Sequence, residues 1–170
     1  LFLIKTFQFL TILLVALTMG MSFCHLLQMV PRMRYDPWLW KNTKSMFELF
    51  GPTFGIVLEG GAIILLAILL LLTRRVKSSF QWALFATFCM LFAHAAWWFL
   101  ISPVNHETIH WTKATIPNNW FLYRAQWEYT HAVRAILQIV GFSTLSISIL
   151  VETKNDSGAR INRLDGEATS

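Results

Sequence analysis

Four stretches of the chain are almost unbroken runs of apolar residues: about 6–29, 52–73, 79–102 and 127–151. A helix rises 1.5 Å per residue, so about 20 such residues cross a hydrocarbon layer about 30 Å thick. A soluble helix of that length would show a charged stripe, and these stretches do not. The pattern predicts an all-α membrane protein, a four-helix bundle spanning 1–152.

The first stretch, with Lys5 before it and Pro31 after it, has the look of a secretory signal. Its apolar run is longer than a usual signal core, and no A-x-A-like site follows, so it is read as a retained helix. The chain opens at Leu1 rather than Met, which leaves the true N-terminus open.

The polar connections set an expected topology. Arg74, Arg75 and Lys77 crowd a very short turn, a cytoplasmic marker. Both termini then lie in the cytoplasm and the two longer loops outside. The Lys and Arg totals on the two sides nearly tie, so the orientation rests on that turn. Residues 153–170 read as a disordered polar tail, broken by Asn155, Asp156, Ser157 and Gly158. The first outer loop carries Tyr35, Trp38 and Trp40, and then Ser45 and Glu48 at capping-box spacing. That spacing predicts a short interfacial helix from Ser45 to Gly51-Pro52. The other outer loop runs from Pro103 to about Trp120.

Composition agrees with this picture. Of 170 residues, 55% are hydrophobic and 14% charged, against about 25% charged in soluble domains. The mean hydropathy is +0.51. These values exclude a disordered chain, and two cysteines exclude a disulfide scaffold. Cys24 and Cys89 fall inside spans and read as small packing residues. The net charge of +5 resides in loops, where it sets topology; the expected surroundings are a lipid bilayer and not a nucleic acid.

Charges inside spans are costly and ask for a function. The spans hold His25, Glu59, His94, Glu128, His131 and Arg134. All but Arg134 are expected within roughly 5–12 Å of the outer face, one layer fed by four helices. Glu128 and His131 form an E-x-x-H pair on one helix face. Di-metal bundles use two such pairs, so the supply here suits one metal held by His25, His94, His131 and one or both of Glu59 and Glu128. Imidazole and carboxylate suit Cu, Fe or Zn. The plainer alternative pairs Arg134 with Glu59 or Glu128 and leaves the histidines as hydrogen-bonding links between helices. A non-covalent haem between His25, His94 and His131 also stays open.

A second motif, His106-Glu107-Thr108-Ile109-His110, reads H-E-x-x-H, the zinc peptidase string. It lies between Pro103 and Pro117 and needs a helix and a third ligand. A solvated histidine pair is the default, with a peripheral metal contact as the other candidate. Gly60-Gly61 reads as a point of close helix approach, and Trp97 and Trp98 as an interfacial belt or a pocket wall. There is no phosphate loop, C-x-x-C-H motif or serine elbow.

The run Trp97-Trp98-Phe99-Leu100-Ile101-Ser102-Pro103-Val104-Asn105, then Trp120, Arg124 and Trp127-Glu128-Tyr129-Thr130-His131-Ala132-Val133-Arg134, resembles the anthrone-oxygenase-like family of small four-span membrane proteins. His25, Glu59 and His94 resemble polar positions of its bacterial branch. The resemblance covers about 1–152, and H-E-x-x-H is not part of it. It implies a four-span fold and, from the few named members, oxidation of anthrones to anthraquinones without a conventional cofactor.

Three function classes follow. The first is a membrane oxidoreductase acting on a small apolar or phenolic substrate, with His131, Glu128 and Arg134 as catalytic candidates. The electron acceptor would be oxygen or a quinone. The second is a non-catalytic subunit bound to partner membrane chains. The third is a zinc peptidase built on His106 and His110. Buried charges that close among themselves with no cavity would exclude the first.

Overall fold

The computed structural model describes residues 2–47, 55–75 and 77–168, with side chains over 3–47, 55–75, 77 and 79–152. It is helical throughout: α1 (Phe2–Arg32), α2 (Pro37–Ser45), α3 (Ile56–Thr73), α4 (Lys77–Ala96), a π-helical turn (Trp97–Ile101), α5 (Ser102–Thr108) and α6 (Trp120–Ala168). Four segments are long and apolar enough to cross a membrane: Leu3–Arg32, Ile56–Thr73, Ser79–Thr108 and Trp120–Glu152. The protein is a multi-pass, all-α membrane bundle. α6 packs on α4 and α1, and α3 completes the ring by packing on the same two helices.

In lipid every polar group needs an internal partner. Hydroxyls in the spans bond back one turn: Thr11 to Phe7 O at 2.6 Å, Thr18 to Leu14 O at 2.8 Å and Thr87 to Ala83 O at 2.8 Å. Small residues bring the helices close. A Cβ on Gly141 would sit 3.3 Å from Cys89 Cβ and 3.4 Å from the Ala86 carbonyl oxygen. Of the glycine pair in α3, Gly61 makes the close approach, with Leu14 Cδ1 3.2 Å from where its Cβ would be.

An apolar core fills the middle of the bundle: Val15, Ala62, Leu66, Leu69, Ala86, Met90 and Leu145. At the α2 end lies an aromatic cluster of Trp40, Ile101, Val104, Trp111 and Trp127. At the other end Gln8 donates to Glu152 (2.7 Å), and the Ser79 and Ser148 hydroxyls meet at 2.9 Å, joining α1, α4 and α6.

Several boundaries differ from expectation. The short helix after α1 exists, but it starts at Asp36-Pro37. The Asp36 carboxylate accepts from the Trp38 and Leu39 amides at 2.9 and 3.0 Å, and proline fits the first helical turn. Ser45 is therefore the last residue of a helix rather than its cap, and its hydroxyl bonds to Asn42 O at 2.8 Å. Glu48, Gly51 and Pro52 lie outside the described residues. α1 continues through Pro31, which has no N–H to give to the helix ladder. The third span continues as helix to Thr108 through the π turn, so Pro103 opens α5 instead of a loop. The last helix runs from Trp120 to Ala168. A helix already nucleated by a span gains a backbone hydrogen bond for each added residue.

Candidate functional site

The ionisable residues of the spans gather at the α2 end of the bundle as two ion pairs with a histidine pair beside them. The deeper pair is Glu59 with Arg134. Arg134 Nη2 donates to both carboxylate oxygens at 2.9 Å, and its Nε holds the Ala93 carbonyl at 2.9 Å. Gln138 adds a 2.8 Å bond to Glu59 Oε1, and His94 Nδ1 lies 3.2 Å from Oε2. Trp98 Nε1 donates to His94 Nε2 at 2.9 Å, which leaves the Nδ1 hydrogen to face Glu59.

The second pair joins Glu128 to Arg32. Arg32 Nε reaches Oε1 at 2.9 Å and Nη2 reaches Oε2 at 3.0 Å, with Trp40 Nε1 adding 3.0 Å to Oε1. Arg32 also bonds Gln28 Oε1 and the His25 carbonyl, both at 2.9 Å. His25, Gln28 and Arg32 form one stripe of α1, so the ion pair also fixes the stretch that carries His25.

His25 and His131 stack with ring centroids 4.2 Å apart and planes 24° from parallel. Trp127 lies 4.2 Å from His131, and Phe47 4.5 Å from His25. The Nδ1 atoms of both histidines are buried and have no hydrogen-bond partner among the described residues. Both rings line two adjoining cavities. One, of about 60 Å³, is also bordered by Thr18, Ser22, Glu59, His94 and Arg134. The other, of about 280 Å³, is bordered by Lys44, Phe47, Ser102, Asn105, His106, Ile109 and Trp127. Trp97 borders both, carried there by the π turn, and so forms a pocket wall, while Trp98 is half exposed.

Four of the five residues expected in the layer, His25, Glu59, His94 and His131, therefore share one space with Arg134. Glu128 does not: it borders neither cavity and faces Arg32 and Trp40. Its i, i+3 spacing to His131 holds, but the carboxylate turns toward a cation on α1. Both carboxylates thus carry arginines, and among the described residues no three His, Cys, Asp or Glu side chains are arranged to hold a metal ion. The arrangement does not fit the expected Cu, Fe or Zn shell. Of the loop motif, only His106 reaches the larger cavity. His106 and Glu107 lie in α5, which ends at Thr108, and His110 falls in the turn beyond it. The two rings are 5.8 Å apart with exposed surroundings, and Glu107 accepts from Trp111 Nε1 at 3.5 Å.

Arg32 and Lys44 count in the sequence only among the basic residues of the outer side, yet both are almost wholly buried. One signal pointed to Arg32. Two carboxylates lie within spans with one arginine between them, so a second cation was required nearby. Trp40, Asn105 and Gln138 gave no such signal.

Fold and site together define an all-helical, multi-pass membrane protein with two adjoining cavities, bordered by ionisable side chains, at one end. In comparisons with known families, curated proteins and solved structures, the chain matches none.

Proposed function

We propose that this protein is a membrane-embedded oxidoreductase-like enzyme that removes a proton from a small, flat, phenolic or otherwise weakly acidic substrate. The observation that carries this reading is the stacked His25–His131 pair bordering a cavity of about 280 Å³ with aromatic walls. The cavity lies just below the lower end of small-ligand sites, about 300 Å³, in which a few polar groups set orientation. The resemblance to the anthrone-oxygenase-like family supplies the substrate class.

In this scheme an imidazole of the pair takes the proton from an acidic methylene of the substrate. The resulting carbanion reacts with dioxygen: the methylene becomes a carbonyl, one oxygen atom is incorporated and the other leaves as water. Glu59–Arg134 and Arg32–Glu128 act as positioning groups, because their charges are spent on one another. Substrate enters from the bilayer, with both termini in the cytoplasm and the cavities near the outer face. A metal-dependent version would require Glu59 or Glu128 to give up its arginine, and no step here uses one.

The test is conversion of anthrone to anthraquinone by protein in lipid nanodiscs, followed by absorbance with dioxygen consumption in parallel. Turnover above empty nanodiscs, lost in His131→Ala, is expected. Equal rates with and without protein overturn the reading. The subunit alternative draws on the saturation of both carboxylates by arginines, and partner chains that co-purify in its absence of turnover would favour it.

A further inference from the structure

The end of the bundle opposite the cavities has a groove of about 330 Å³ between α1 and α6, bordered by Lys5, Gln8, Phe9, Ile12 and Ile149. The four α1 residues follow one another at i, i+3, i+4 and i+7, one face of the helix. Phe9, Ile12 and Ile149 make the groove apolar. Gln8 is its buried polar member, 3% exposed. Gln8 Nε2 donates to Glu152 Oε2 at 2.7 Å, which fixes the amide orientation and leaves Oε1 as an acceptor. That oxygen is buried and has no hydrogen-bond partner among the described residues. A buried acceptor without a partner is costly, and a donor that completes it is favoured. The depth of Gln8 indicates the source of that donor. The span Leu3–Arg32 has 30 residues. At 1.5 Å each it is about 45 Å long, the thickness of a bilayer with its headgroup layers. Gln8 lies five residues in from Leu3. That is about 7–8 Å, where headgroups meet hydrocarbon.

We propose that this groove is a phospholipid site that selects a headgroup bearing an N–H donor. The donor bonds Gln8 Oε1, and an acyl chain lies along Phe9, Ile12 and Ile149. Phosphatidylethanolamine is the type of such a ligand. Phosphatidylcholine has the same phosphate and the same net charge but no donor, so it fills the apolar part of the groove and leaves the amide oxygen unmatched. Lys5 borders the groove, but selection does not rest on it, because both lipids present the same phosphate. The site is at the far end of the bundle from the histidine pair and does not depend on the chemistry proposed there.

The test is a lipid titration of the full chain in mild detergent, with the first bound lipid counted by native mass spectrometry. Three dioleoyl lipids of equal net charge are compared: phosphatidylethanolamine, its N,N-dimethyl derivative, which keeps one N–H, and phosphatidylcholine, which has none. Both donor-bearing lipids are expected to bind at least about fivefold more tightly than phosphatidylcholine. Gln8→Met should abolish that preference. Should Gln8→Met fail to fold, Gln8→Asn, an amide shorter by one methylene, reads the same loss. Phe9→Ala should weaken all three lipids alike. Equal affinities in the wild type, including absence of binding, overturn the proposal. So does a dimethyl derivative that binds no better than phosphatidylcholine, because headgroup size and not the donor would then be read. A preference that survives in the Gln8 variant, or affinities that Phe9→Ala leaves unchanged, would place the lipid elsewhere and overturn it equally.

Discussion

Removing Arg32 should be among the most damaging single changes in the chain, although it lies at the very end of a span. Arg32→Met deletes the bonds of Nε and Nη2 to Glu128 at 2.9 and 3.0 Å, leaving a fully buried carboxylate with Trp40 Nε1 as its remaining partner. Breaking a buried ion pair from one side costs about 3–5 kcal/mol, because the surviving charge stays desolvated. Glu128→Met should cost a similar amount by stranding the guanidinium. Trp40→Phe removes one hydrogen bond to a charged group and should cost about 1.5–3 kcal/mol. Arg32→Met/Glu128→Met removes both charges and should fall well short of the sum of the singles, by at least about 2 kcal/mol. The assay is reversible unfolding in mixed micelles read by tryptophan fluorescence, with all variants compared at one detergent fraction. Additive single mutants, or an Arg32→Met cost below about 1 kcal/mol, would refute the argument that this pair is a buried lock.

Gly141→Leu should destabilise by about 1–3 kcal/mol, since its Cβ meets Cys89 Cβ at 3.3 Å and a backbone oxygen at 3.4 Å. Gly61→Ala should stay within about 1 kcal/mol, because the 3.2 Å neighbour is the movable end of Leu14; the same unfolding assay separates the two. For topology, Lys77→Cys in a Cys24→Ser/Cys89→Ser background should react with a membrane-impermeant maleimide only once the cytoplasmic face is opened. Labelling of intact cells would invert the proposed orientation.

The spans were legible because burial in lipid imposes one signal, a long run of apolar residues, that needs no partner to interpret. Partnering was less legible. Glu128 and Arg32 are 96 residues apart, and the charge count that calls for a second cation does not say which one it is. Arg32 follows a proline that reads as a helix stop, and the chain passes through it. Ser45 and Glu48 satisfied a capping pattern, but Asp36-Pro37 offered a better start nine residues earlier, with a carboxylate that accepts two amides. The π turn at Trp97–Ile101 is invisible to a 3.6-residue period, yet it places Trp97 between the cavities. Arg134 was the exception: an arginine so deep in a span had to find a carboxylate, and Glu59 is that partner.

The apolar core of Val15, Ala62, Leu66, Leu69, Ala86, Met90 and Leu145 has an electrical meaning. It separates the cavities and their ion pairs from the Gln8–Glu152 cluster at the far end with side chains that no ion or proton can use as a stepping stone. The bundle is therefore an insulator. Under the proposed function, a proton released in the cavities would find no polar side chain among these core residues to carry it to the far end. Such a protein could be present at high density in an energised membrane without short-circuiting it.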